Sequence, residues 1–112
     1  MKEEKPDIYK LSLLLDFYGQ LLTKGQFDAL DLHCNSDLSM SEIADELGIS
    51  RQGAYDFINK GRQRLTDFED KLKLAERFTN NKIKLLEVKE LLQSDKKEEA
   101  LTKLDGVINN GI

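Results

Sequence analysis

Apolar residues recur at helical spacing along nearly the whole chain, and no alternating run rich in Val, Ile or Thr interrupts them, so the pattern predicts an all-α protein. Ile8, Leu11, Leu14, Leu15 and Tyr18 mark a first helix over 7–18, with Gly19 placed where a left-handed C-terminal cap would fall. In "LTKGQFDALDLHCNSD", Thr23 and Gln26 form a capping-box start, Phe27, Leu30 and Cys34 line one face, and "NSD" at 35–37 reads as a turn. Ser39 and Glu42 repeat the capping box before a short helix striped by Ile43, Ala44 and Leu47. Gly48 permits a positive φ, Ile49 plugs the corner, and Ser50 caps the next helix, whose apolar positions are Ala54, Phe57, Ile58, Leu65 and Phe68.

Beyond Phe68 the pattern continues helically through Leu72 and Ala75, and "TNNK" at 79–82 reads as the next break. "IKLLEVKELLQ" and "KKEEALTKLDGVIN", separated by the capping candidates Ser94 and Asp95, form a helical-hairpin pattern. Ile83, Leu86 and Leu91 or Leu92 are expected to face Leu101, Leu104 and Ile108, and "NNGI" at the end is expected to fray. The predicted organisation is therefore an N-terminal helical domain over 1–68 and a C-terminal helical extension over 69–112, the latter a candidate dimerisation element.

The window 39–65 carries the most specific geometry. A helix-turn-helix needs a small residue where its second helix crosses the first, and Ala44 supplies it. Four residues later the chain must turn through a positive φ, at Gly48, with apolar residues on both sides. These demands are met together within about 20 residues. The fold class is thus a helix-turn-helix domain without a β-wing, followed by a helical hairpin.

Charge sharpens this picture. The chain carries 17 basic and 21 acidic residues, net −4, which argues against indiscriminate coating of nucleic acid. Within 50–65, however, Arg51, Lys60, Arg62 and Arg64 stand against Asp56 alone. If this helix enters a major groove, Ser50, Arg51, Gln52, Tyr55 and Asp56 face the bases, while Lys60, Arg62 and Arg64 suit phosphates. Arg51 can donate two hydrogen bonds to guanine, Gln52 can pair with adenine, and Asp56 repels phosphate unless it accepts from a cytosine amino group. The plainer reading of these cations is a solvated helix face.

Candidate chemistry elsewhere is sparse. His33 and Cys34 are adjacent and point to different helix faces, and the chain holds one histidine and one cysteine, so neither a metal site nor a disulfide is expected. No catalytic residues, cofactor or enzyme activity are expected, since no phosphate loop, dinucleotide turn or Ser/His/Asp set can be assembled. No apolar run approaches the ~18 residues of a membrane span, and the N-terminus lacks an apolar signal core, which predicts a cytoplasmic protein with no membrane partner.

The window "LTKGQFDALDLHCNSDLSMSEIADELGISRQGAYDFINKGRQRL" resembles region 4 of bacterial sigma factors in its Leu-Thr capped helix, its "EIA-x-x-LGIS" core and its basic second helix ending at Leu65. It departs from them at Tyr55, where that family commonly places a basic residue, and at Asp56; no segment here resembles their upstream core-promoter segments, so a complete sigma factor is not expected. The whole chain resembles the YlxM family of helix-turn-helix proteins through "YKLSLLLDFYGQLLTKGQ", "EIADELGISRQGAYDFI" and the charged helical tail. That resemblance implies a cytoplasmic bacterial regulator linked to the signal recognition particle pathway, mainly by gene neighbourhood with that particle's GTPase. The expected ligand is nucleic acid, DNA in preference to RNA, bound by a homodimer. The alternative is a non-enzymatic adaptor that meets a signal recognition particle component, protein or RNA, through acidic residues such as Asp16, Asp28, Asp31 and Asp37.

Overall fold

Three helices of this chain begin where a side chain, Thr23, Ser39 or Ser50, can satisfy exposed backbone N–H groups of the first turn. The computed structural model describes residues 4–110, and every regular element among them is helical: α1 (Glu4–Tyr18), a 3-10 turn (Gly19–Leu21), α2 (Lys24–Asn35), α3 (Met40–Leu47), α4 (Arg51–Leu72), α5 (Leu74–Gln93) and α6 (Lys97–Asn110). Both capping boxes form. Thr23 Oγ1 accepts from Gln26 N–H while Gln26 Oε1 accepts from Thr23 N–H, each at 3.2 Å. Ser39 and Glu42 do the same at 3.2 and 2.8 Å. The first box also explains why Gln26 is buried: its amide is occupied by the cap.

Two compact units result, Met1–Leu72 and Lys73–Ile112. The first holds α1 to α4. Its core comprises Leu11, Leu14, Leu15, Tyr18, Ala29, Leu30, Ile43, Ala44, Ala54, Ile58 and Leu65. Two glycines let α2 and α4 approach closely. A Cβ at Gly61 would stand 2.6 Å from Leu30 Cδ1, and one at Gly25 would run into the Phe57 ring. Tyr18 ties α1 to the far end of α4, donating from its hydroxyl to Glu69 Oε1 at 2.6 Å and packing on Phe68 with ring centroids 5.8 Å apart.

Gly19 departs from the expected left-handed cap. Its φ is not positive; it begins the 3-10 turn, and what it supplies is room, since a Cβ there would meet Phe27 Cε1 at 2.8 Å. The break expected at 79–82 is also absent, because α5 runs through it unbroken. The interruption lies instead at Lys73, in the left-handed region at φ 58°, so the pattern does not continue helically from Leu72 into Ala75. Asparagine lowers helix stability by less than about 1 kcal/mol per residue, which a packed helix absorbs. α4 likewise passes through 68–69 before ending at Leu72.

In the second unit, α5 and α6 form the expected hairpin around a turn in which Ser94 closes α5 and Asp95 takes φ 61°. Its seam keeps Leu91 and Leu104 of the expected one and differs in the rest. Val88 and Ala100 are buried and Leu91, Leu104 and Val107 half-buried, whereas Ile83, Leu86, Leu101 and Ile108 are each at least 46% exposed. The small and branched Val88 and Ala100 are among the most buried residues of the hairpin, and these four larger ones stay largely exposed. Helix α6 extends to Asn110; Gly111 and Ile112 of the expected frayed tail lie outside the described residues.

Candidate nucleic-acid interface

The turn between α3 and α4 is built almost wholly from local hydrogen bonds. Gly48 adopts φ 69°, ψ 37°; its N–H donates to Asp45 at 3.3 Å, and the Ile49 N–H donates to Ala44 at 3.0 Å. This is the Schellman pattern, which needs a residue tolerant of positive φ. Ser50 then caps α4, its Oγ accepting from Gly53 N–H at 3.0 Å. Ala44 and Ala54 are both buried at the crossing, where a larger side chain would hold the helices apart.

At ~100° per residue, the faces of α4 separate cleanly. Ala54, Ile58, Gly61 and Leu65 point inward. Opposite them, on the outermost line, stand Gln52, Asp56, Gln63 and Asp67, paired along the helix by Gln52 Nε2–Asp56 Oδ1 at 3.3 Å and Gln63 Nε2–Asp67 Oδ1 at 3.0 Å. The cations occupy the two flanks between these faces: Arg51 and Arg62 on one, with Tyr55; Lys60 and Arg64 on the other.

The eight proposed contact residues therefore differ in availability. Ser50, Arg51, Gln52, Tyr55, Asp56 and Lys60 are exposed. The Ser50 oxygen is committed to the cap, leaving its hydroxyl to donate outward. Arg64 turns back on its own unit, donating to the Leu21 carbonyl at 3.3 Å and lying 5.4 Å over the Phe68 ring. Arg62 is half-buried. Because α4 continues to Leu72, its charge over the full length is five basic residues against four acidic ones, and the cationic part is confined to 51–64.

Arg62 lines a cleft of about 380 Å³ with its neighbours on the same flank, Tyr55 and Asn59. Opposite them are His33 and Asp37, and Ile8, Met40 and Ile58 supply apolar wall. Burial, and next the Arg62 guanidinium, hold His33 below its ordinary 6.5 against the opposing Asp37 carboxylate. At neutral pH the imidazole is therefore uncharged. Its Nδ1 is buried without a hydrogen-bond partner. The helical spacing 55/59/62 could have disclosed this flank, but Asn59, His33, Asp37 and Met40 carry no motif that singles them out.

Cys34 is half-buried, and burial above all pushes its thiol up to about 11, with Arg62 opposing and the Asp31 and Asp16 carboxylates adding to the rise. Such a thiol is neither nucleophile nor ready ligand at neutral pH. Among the described residues no His, Cys, Asp and Glu side chains group as a metal site, and no helix is long and apolar enough to cross a membrane.

Capped helix, left-handed turn, small residues at the crossing and an exposed second helix define an all-α helix-turn-helix protein with an appended helical hairpin. Comparison with known proteins agrees. The chain belongs to the UPF0122 family, described as "Putative helix-turn-helix protein, YlxM / p13 like", which it matches over residues 5–105. It is 54% identical over 81 residues to a UPF0122 protein of Acetivibrio thermocellus, covering 72% of this chain and 69% of that one. A UPF0122 protein of Clostridium kluyveri is 44% identical over 106 residues, 92% and 96% of the two chains. The UPF0122 protein YlxM of Bacillus subtilis is 38% identical over 95 residues, 85% and 86% of the two chains.

Proposed function

We propose that this protein is a non-enzymatic, cytoplasmic DNA-binding regulator that seats the N-terminal half of α4 in a major groove in the manner of sigma region 4. The supporting observation is the exposed first turns of α4, where Arg51, Gln52 and Tyr55 follow directly on the Ser50 cap. In this reading Ser50, Arg51, Gln52, Tyr55 and Asp56 meet base edges, and Lys60, Arg62 and Arg64 hold phosphates. Gln52 must release Asp56 to pair with adenine, and Arg64 must exchange the Leu21 carbonyl for a phosphate. Two copies pair through the exposed leucines and isoleucines of the hairpin, presenting two α4 helices to two half-sites.

The test is fluorescence-anisotropy titration of candidate duplexes at several salt concentrations. With roughly three phosphates neutralised per copy and two copies on the duplex, log K should fall with log salt at a slope of about −5. Arg51→Ala should cost about 1–3 kcal/mol per half-site and flatten sequence preference, whereas Lys60→Ala should weaken all duplexes alike and reduce the slope by about 2, one for each copy. Binding insensitive to salt and to both substitutions overturns the reading.

A second reading is favoured by the outermost line of α4, which carries Asp56 and Asp67 and no cation. In it the protein is an adaptor in the signal recognition particle pathway that meets a basic partner component. Reversal of Asp56 and Asp67, together with Asp16, Asp28, Asp31 and Asp37, would then abolish capture of that particle's protein, while Arg51→Ala would leave it intact.

A further inference from the structure

The cleft beside α4 gathers polar groups that find no partner within the chain, one of them buried. Among the described residues no hydrogen bond or ion pair engages the Arg62 guanidinium, the Asn59 amide or the Tyr55 hydroxyl, and the buried His33 Nδ1 is unpartnered as well. A half-buried guanidinium without an acceptor loses hydration and gains nothing within the chain. Buried polar groups of native proteins are nearly always paired, so the buried His33 Nδ1 beside the half-buried Arg62 guanidinium, with the exposed Tyr55 and Asn59 at the rim, points to a ligand that completes them. The volume, about 380 Å³, falls within the ~300–1,000 Å³ of small-molecule sites.

The chemistry of the wall narrows the ligand. Arg62 asks for an anion. A bare phosphate would leave the apolar surface of Met40 and Ile58 unused and would face the Asp37 carboxylate at the other side of the opening. A lipid tail would leave Asn59, His33 and Asp37 unpaired. A metal cation would be repelled by Arg62 and would find His33 as its one nitrogen ligand in the chain. A planar heterocycle with both donors and acceptors on its edge, joined to a hydroxylated sugar and one phosphate, uses every group present. An aromatic face is available at Tyr55, amide and imidazole pair with ring edges, and a carboxylate accepts from sugar hydroxyls.

We propose that this cleft is a mononucleotide-binding site in which Arg62 holds the phosphate, Asn59 and His33 pair with the base edge, the base lies against Tyr55 with Met40 and Ile58 beneath, and Asp37 accepts from the sugar. The nucleotide is either free or a single base splayed from a strand; the chemistry is the same. Where the groove-binding reading holds, an occupied cleft also withdraws Arg62 and one face of Tyr55 from the duplex, so nucleotide and duplex compete.

His33 is the one histidine of the chain, and its imidazole resonances are a native reporter inside the cleft. The full chain is titrated with AMP, GMP, CMP, UMP, inorganic phosphate, single-stranded tetranucleotides and a blunt duplex. At least one mononucleotide or tetranucleotide should shift the His33 signals saturably; saturation by a mononucleotide assigns the free form, and saturation by tetranucleotides alone assigns the splayed base. Arg62→Ala and the exposed-position variant Asn59→Ala should each weaken that binding about tenfold, equivalent to ~1.4 kcal/mol, while Lys10→Ala, which removes an exposed cation outside the cleft, should leave it unchanged. Absence of any saturable shift, equal binding of inorganic phosphate, response to the duplex alone, or equal loss in Lys10→Ala overturns the proposal. Loss of duplex binding with nucleotide binding intact overturns the groove reading alone.

Discussion

Two glycines in helix interiors, Gly61 in α4 and Gly106 in α6, should respond to the same substitution with opposite signs. Replacing a helical glycine by alanine is worth about 0.8–1 kcal/mol in helix propensity wherever the new methyl is tolerated. At Gly106 nothing lies within 4 Å of an added Cβ, so Gly106→Ala should stabilise by nearly that amount. At Gly61 the methyl would stand 2.6 Å from Leu30 Cδ1 and 3.3 Å from Gln26 Cβ. Leu30 is fully buried and cannot swing aside freely, and a Cβ is fixed to its backbone. Overpacking of this kind costs about 1–3 kcal/mol, so Gly61→Ala should destabilise by about 1 kcal/mol net. The propensity gain is common to both, and the difference of about 1–3 kcal/mol measures the α2–α4 crossing alone. The chain has no tryptophan, and its tyrosines, Tyr9, Tyr18 and Tyr55, all lie in the first unit. Tyrosine fluorescence during thermal or urea unfolding therefore reads that unit, while far-UV circular dichroism reads both. For a domain of this size each kcal/mol moves the midpoint by roughly 4–8 °C. A Gly61→Ala chain whose fluorescence midpoint rises as the Gly106→Ala dichroism midpoint does would refute the close crossing, and with it the placement of α4 on α2. In the double variant with Leu30→Ala the overpacking should vanish, leaving the cost of the leucine reduced rather than summed.

Three further outcomes are expected. Ser50→Ala removes the acceptor of the Gly53 N–H and should cost about 1 kcal/mol in the fluorescence-detected transition; Ser50→Gly should cost only a few tenths. Tyr18→Phe deletes the 2.6 Å bond to Glu69 and should destabilise the first unit by about 1–3 kcal/mol, since a partly buried carboxylate loses a donor; an unchanged midpoint would place that bond outside the energetics of the fold. Alkylation of Cys34 by iodoacetamide should accelerate in the native chain up to a pH of about 11, whereas the urea-unfolded chain should level off near the ordinary 9.0. The folded thiol holds its proton longer than the unfolded one, so the stability contributed by this site is full below about 9 and declines between about 9 and 11. A native plateau at 9 would contradict the burial of the thiol.

What could be read from the sequence was whatever spans three or four residues. Thr23 with Gln26, Ser39 with Glu42, the positive φ of Gly48 and the Ser50 cap are contacts between near neighbours, and residue type nearly determines them. Lys73 shows the limit. Nothing marks it as a break, since lysine is a good helix former, yet it takes φ 58° while the Asn-Asn at 80–81 stays helical. Glycines mislead in the same way. A glycine after a helix suggests a left-handed cap, but Gly19, Gly25 and Gly61 answer to Phe27, Phe57 and Leu30, partners that proximity in sequence does not disclose.

The same distinction governs the site. A tally of charge over 50–65 makes the second motif helix look uniformly cationic, but a helix displays its charges by angle, and here the angles divide them. Arg51 and Arg62 share a flank with Tyr55 and Asn59; Lys60 and Arg64 share the other; Gln52, Asp56, Gln63 and Asp67 hold the outermost line. A groove approached head-on would meet carboxylates first, so the helix gains from a slight tilt toward one flank, with the cations of the other flank still within reach of the opposite strand. The Arg51 flank is the better candidate, because Arg64 on the other is already bound to the Leu21 carbonyl and the Phe68 ring. Tilting that way brings the duplex against the opening lined by Arg62 and His33. Recognition of a duplex and occupancy of the cleft then draw on one guanidinium, and a single charge cannot fully serve both.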